Sequence, residues 1–129
     1  MGEPGWTIGT FAWRELATDD VDGARRFHGE LFGWTWHKVV NFGTGTAPGG
    51  GATVLTAGGT PVADVQPAPA GSRARWATYV EAQDADASRD LAVRLGGRVL
   101  VPRIDVPRVG VVAAIADPGG AALGLLQRR

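Results

Sequence analysis

Few side chains in this 129-residue chain can carry chemistry, and their types limit what that chemistry is. Cysteine is absent, which removes thiolate nucleophiles, thiolate metal ligands and disulfides together. Two histidines, His28 and His37, are the whole supply of imidazole. Carboxylates are left as the acid–base candidates. Glu15 and Glu81 each end an alternating run, Phe11-Trp13-Glu15 and Ala77-Tyr79-Glu81, in which every second residue shares a face. A carboxyl group enclosed by apolar side chains resists ionisation and serves as a general acid or base. If Glu15 faces such an enclosure, it is the candidate catalytic residue. Each glutamate can equally stand in water at a strand end or pair with Arg14, Arg75 or Arg103, and for Glu81, close to its strand's end, that structural role is preferred. The glycine-rich run 43–51 lacks the Lys-Ser/Thr of a phosphate loop and leads into no helix, so it is a hairpin connection and not a nucleotide site.

These residues are positioned by a repeated unit. FAWRELATDDVDGARRFHGELFG (11–33) and RWATYVEAQDADASRDLAVRLGG (75–97) align without a gap at an offset of 64, placing Asp20 on Asp84, Asp22 on Asp86, Arg25 on Arg89 and Gly33 on Gly97. GGTPVADVQ (58–66) falls on GGAALGLLQ at an offset of 61. In the first copy, alternation predicts a strand over 10–18. Asp20 then caps a helix whose Val21, Ala24, Phe27, His28 and Leu31 recur at helical spacing, with Gly33 as its stop. Strand 34–40 and a hairpin of 52–57 with 60–65 across Gly58-Gly59 follow. The second copy predicts strand 75–82, a helix capped by Asp84, a short strand 99–101, strand 109–116 and a last strand ending near Gln127. The expected organisation is one α+β domain of two βαβββ units, 10–66 and 74–127, joined by the Pro/Gly/Ala-rich linker 66–73.

Composition excludes several partners. Thirteen basic residues balance thirteen acidic ones, and no basic run suggests nucleic acid. No apolar run approaches a membrane span, and the N-terminus lacks the basic and apolar regions of a secretory signal. A cytoplasmic protein is expected, in keeping with the absence of cysteine.

The run ELATDDVDGARRFHGELFGW, the segment GRVLVPRIDVP and ADPGGAALGLLQ together resemble the vicinal oxygen chelate superfamily of glyoxalases, extradiol dioxygenases, fosfomycin-resistance enzymes and bleomycin-binding proteins. The resemblance runs from residue 10 to 127 and is nearest an actinobacterial hydroxylase-like branch. It implies two βαβββ units whose curved sheet forms a cup around a ligand, with the helices outside, and it implies a homodimer. Metalloenzymes of this superfamily hold a divalent ion through His and Glu in the middle of each unit's first and last strands. Alignment carries those four places onto Trp13, Ala77, Ala63 and Gly124, none of which can coordinate a metal. A one-residue slip would bring Asp64 into the first last-strand place, at the cost of reversing its sheet face. No cofactor is therefore expected.

The implied cup receives Phe11, Trp13 and Glu15 from one copy and Ala77, Tyr79 and Glu81 from the other. Ala63 and Gly124 leave room in its floor, and Trp36 or His37 closes one side. Arg103, Asp105 and Arg108, in the loop before strand 109–116, either form a rim for a ligand's polar edge or, as is commoner for such charges, belong to a solvated loop. An aromatic-walled cavity with few polar groups suits a planar or amphiphilic organic ligand. Three readings follow: a metal-independent small-molecule binder, a metal-free isomerase, cyclase or lyase using Glu15, and a structural or regulatory protein whose cup its own side chains fill. The neutral charge argues against bleomycin, a cationic drug, as the ligand.

Overall fold

The structure is a computed structural model and describes residues 7–39, 52–68, 70–106 and 109–128. Trp6, the glycine-rich run 43–51 and Arg108 lie outside the described residues. The elements come in the order β1 (Phe11–Thr18), α1 (Val21–Phe32), β2 (Thr35–Val39), β3 (Ala52–Ala57), β4 (Thr60–Pro67), β5 (Arg75–Glu81), α2 (Ala85–Arg94), β6 (Arg98–Val106), β7 (Gly110–Ala116) and β8 (Ala122–Arg128). This is βαβββ twice, an α+β chain with the expected internal repeat.

Both helices begin as the aspartates dictate. Asp20 Oδ1 accepts from the Gly23 N–H and Asp84 Oδ1 from the Ala87 N–H, each at 3.0 Å. Asp22 and Asp86 add negative charge to the two first turns. Their ends differ. α1 stops at Gly33, whose left-handed backbone matches the expectation, but α2 stops earlier than the repeat implies. There the Gly96 N–H bonds the Val93 carbonyl and the Gly97 N–H bonds the Ala92 carbonyl, a Schellman ending with Gly96 (φ 97°) as its left-handed residue.

The chain divides into two compact units that do not follow the repeat boundary. A central unit spans Arg14–Ala77, and a terminal unit takes residues up to Trp13 with those from Thr78 onward. The expected division at 66–73 is crossed for local reasons. Gly9 N–H donates to the Glu81 carbonyl and Glu81 N–H to the Thr10 carbonyl, both at 2.9 Å, which ties the start of β1 to the end of β5. Trp76 in turn joins an aromatic cluster of the central unit. The His28 ring stacks on Trp34 (5.5 Å between centroids, 13° between planes) and meets Trp76 edge-on at 5.7 Å, while its Nδ1–H donates to the Ala24 carbonyl at 2.8 Å. His28 is thus a packing residue.

In the central unit the strands lie in the order β2-β3-β4-β1, with β1 and β4 parallel and the other pairs antiparallel. Leu16, Leu55, Ala63 and Val65 form its buried core, against which Val21 and Ala24 of α1 and Trp34 and Trp36 pack. The terminal unit repeats the pattern as β5-β8-β7-β6, with Ala82, Ala85, Val111, Ala113 and Leu125 buried together. β6 is longer than the predicted 99–101 and runs through Pro102. Proline is tolerated there because β6 is the outer strand of this set and its pairing with β7 shifts register on either side of Val101. The Pro102 carbonyl accepts instead from Arg89 of α2 at 2.9 Å.

Candidate functional site

The central unit's sheet has two faces, and alternation assigns their residues. Leu16, Ala63, Val65 and Leu55 face α1 in the core, so Glu15, Asp64 and Val54 occupy the opposite face. Cross-strand register then aligns a row over that face: Glu15 pairs with Asp64, Asp64 with Val54, and Val54 with His37. With neighbouring strands about 4.8 Å apart, the row spans roughly 14 Å. Burial changes steeply along it. Asp64 is 2% exposed, Glu15 is half-buried and His37 is exposed. Gln66 and Thr56, both buried, lie on the same face beside the row. Gln66 Nε2–H donates to Asp64 Oδ2 at 3.2 Å, and the Thr35 hydroxyl lies between Thr56 Oγ1 and His37 Nε2.

The facing of Asp64 overturns the expectation for Ala63. Ala63 was assigned to the ligand side by its repeat mate Gly124, yet it is 1% exposed in the core under α1. The cause is one extra residue. Between β3 and β4, Leu55 pairs with Ala63 but Thr56 pairs with Pro61, so Val62 has no opposite number. β7 and β8 pair without interruption from Gly110 to Ala116, and lack this bulge. The bulge shifts the first copy by one position, and Asp64 takes the place that Gly124 holds in the second. The Val62 carbonyl accepts from Arg14 Nε at 3.1 Å, which occupies Arg14.

Trp36 also lies on the other side from that expected. It packs into the α1-side core, with the Arg25 guanidinium carbon 5.9 Å from its ring centroid, and its buried Nε1–H meets no acceptor among the described residues. A groove of about 610 Å³ along α1 and β2 is lined by Trp36, Trp34, Arg25 and Arg26, and neither Glu15 nor Asp64 borders it.

The remaining predicted residues belong to the terminal unit or its border. Phe11 is 68% exposed; Trp13 and Ala77 are half-buried and precede the parallel ladders, which begin at Glu15 and Tyr79. Gly124 does not leave open floor. A Cβ built there would overlap the Tyr79 ring, which lies across it, so the absent side chain makes room for the tyrosine. Glu81 is 4% exposed and its carboxylate accepts from Arg128 Nε, an ion pair that gives it a structural role. Arg103 and Asp105 pair with each other at 3.3 Å, and Arg103 also meets Asp86 of α2. Asp105 first, as bonding partner and charge, and then the charge of Asp86 hold the Arg103 guanidinium above its ordinary range. Both sit on β6, and Arg103 ties that strand to α2.

Sequence comparison agrees with this architecture. The family model described as glyoxalase/bleomycin resistance protein/dioxygenase superfamily matches residues 7–125. The chain belongs to this superfamily. A Mycobacterium bovis protein provisionally named glyoxylase CFP32 is 38% identical over 125 residues, which is 92% of this chain and 46% of the relative. The anthracycline biosynthesis protein DnrV of Streptomyces peucetius is 32% identical over 135 residues, covering 93% of this chain and 47% of its own. The chain therefore spans about half the length of these relatives. Among solved structures, methylmalonyl-CoA epimerase from Mycobacterium tuberculosis superposes with a TM-score of 0.61 at 18% identity, over 100% of this chain and 93% of the epimerase, a likeness of fold.

Among the described residues, the first- and last-strand places do not repeat the His and Glu set by which metalloenzymes of the superfamily hold a divalent ion. The first- and last-strand register pair is Glu15 with Asp64 in the central unit, but Tyr79 with Gly124 in the terminal one. Among the described residues no three of His, Asp and Glu come close enough together to hold an ion. Two carboxylates on one pair of strands do not make the four-ligand arrangement.

Proposed function

We propose that this chain binds a small planar organic molecule without a metal ion, on the central unit's sheet face that carries Glu15, Asp64 and His37. The buried Asp64 carries this reading. Asp64 is 2% exposed and accepts from Gln66 Nε2–H, a carboxylate at a buried strand position beside Val54 where apolar side chains are the ordinary filling. Here a carboxylate, an amide and a hydroxyl are buried together on one face, a concentration of acceptors suited to a ligand's hydroxyl or amine donors. The similarity to a protein named for anthracycline biosynthesis supports a hydroxylated polycyclic aromatic as the ligand class. No helix among the described residues is long and apolar enough to cross a membrane, and the cysteine-free composition supports action in the cytoplasm.

The register of Glu15 beside Asp64 favours a second reading, metal-free proton transfer with Glu15 as the general acid or base. The similarity to a protein named as a glyoxylase supports an enzyme. Glu15→Gln separates the two readings. Binding, measured by quenching of tryptophan fluorescence with a panel of hydroxylated anthraquinones, is expected to survive in this variant. Turnover of any panel member by the wild type that the variant loses would establish the proton-transfer role. Quenching by no panel member would refute the binding reading.

A further inference from the structure

Asp22 and Arg25 of α1 have repeat mates in Asp86 and Arg89 of α2, and the two pairs meet different fates. In α2 the half-buried Arg89 is engaged through all three guanidinium nitrogens. Its Nε and Nη2 donate to Asp90 Oδ1 at 3.1 and 3.0 Å, and its Nη1 donates to Asp86 Oδ1 and to the Pro102 carbonyl, each at 2.9 Å. Arg103 of β6 also meets Asp86. The first copy keeps the arginine and changes its surroundings. Arg26 stands where α2 has Asp90, and β2 (Thr35–Val39) carries no arginine that could reach Asp22. Arg25 and Arg26 are exposed, and neither pairs with a carboxylate among the described residues.

Both arginines border the groove of about 610 Å³ between α1 and β2, together with Trp34 and Trp36. We propose that this groove binds a small aromatic carboxylate, its carboxylate on Arg25 and Arg26 and its ring against the tryptophans. The second copy supplies the chemistry. There the arginine at this place takes a carboxylate through Nε and Nη2, the fork that a guanidinium offers to such a group. With Arg26 in the place of Asp90, α1 cannot provide that carboxylate and instead doubles the positive charge. The Arg25 guanidinium carbon is 5.9 Å from the Trp36 ring centroid, so cation and aromatic face are presented together to a ligand that has both an anion and a ring. Asp22 and Glu30 also line the groove, about 12 Å apart along the helix axis, and disfavour a second negative charge on the ligand. This site is separate from the one proposed above, because Trp34 and Trp36 pack on the α1 side of the sheet and Glu15 and Asp64 are on the other.

Isothermal titration of the full chain with 2-naphthoate tests this, with the neutral 2-naphthamide as its comparison. Saturable binding of the acid is expected, at least about tenfold tighter than that of the amide. Arg25→Gln should weaken it about tenfold, with the circular dichroism spectrum unchanged. Arg26→Asp gives α1 the carboxylate that α2 carries at Asp90; it should engage Arg25 and weaken binding by at least about tenfold, while Arg26→Lys keeps most of the affinity. Asp64→Asn should leave naphthoate binding unchanged. Absence of saturable binding, equal affinity for acid and amide, or indifference to both Arg25→Gln and Arg26→Asp would overturn the proposal. Loss of binding in Asp64→Asn would overturn it too, by assigning the naphthoate to the opposite face of the sheet.

Discussion

At the scale of single residues, the neighbours Ala63 and Asp64 carry most of the meaning. They are adjacent in sequence and equally hidden from solvent, yet one is in the core under α1 and the other is on the opposite face. Their tolerance of substitution should therefore be inverted relative to ordinary burial rules. Ala63→Asp puts an unpartnered carboxylate among Leu16, Leu55 and Val65, and is expected to cost at least about 3 kcal/mol in urea unfolding or to abolish folding. Asp64→Asn keeps the shape of the side chain on the polar face, and is expected to change unfolding free energy by less than about 1.5 kcal/mol. Equal costs for the two substitutions would mean that the facing of β4 is misassigned. Glu81 is a second buried carboxylate, and Arg128 pairs with it.

At the scale of elements, most of the fold was legible because its signals are local and repeated. The aspartate caps, the glycine pair at 58–59 and the alternation of β1 and β5 stand where the sequence places them. The caps are the simplest to test. Asp84→Ala removes the acceptor of the Ala87 N–H and should lower stability by about 1 kcal/mol in thermal or urea unfolding, a loss that Asp84→Ser should largely recover. Three features were not legible. The bulge at Val62 adds no residue type that marks it; it appears only when the ladders of the two copies are compared, so the offset of 61 gave the wrong mate for Gly124. The extension of β6 through Pro102 depends on that strand's outer position, which alternation does not reveal. The small residue at 124 suggested space, while the neighbouring ring that fills it, Tyr79, is on another strand. In each case a pairing between strands decided the outcome, and pairing is invisible to a single-strand pattern.

At the scale of the whole molecule, a duplicated βαβββ chain of the glyoxalase/bleomycin resistance/dioxygenase superfamily carries different residues at the corresponding first- and last-strand register pairs of its two halves. The corresponding register pairs are Glu15 with Asp64 and Tyr79 with Gly124, two acids against a phenol and a glycine. Such divergence favours a site built on one unit over an ion held equally by both. The central claim is that Asp64 receives a donor from an organic ligand directly, with no ion between them. Isothermal titration of the chelator-treated protein with quinizarin, a dihydroxyanthraquinone, tests it most directly, with Asp64→Asn alongside. The account predicts saturable binding that chelation leaves intact and that Asp64→Asn weakens by about 10- to 100-fold, the loss of a hydrogen bond to a charged acceptor. Binding that disappears with the chelator and returns with a divalent metal, or that is the same in Asp64→Asn, would contradict it.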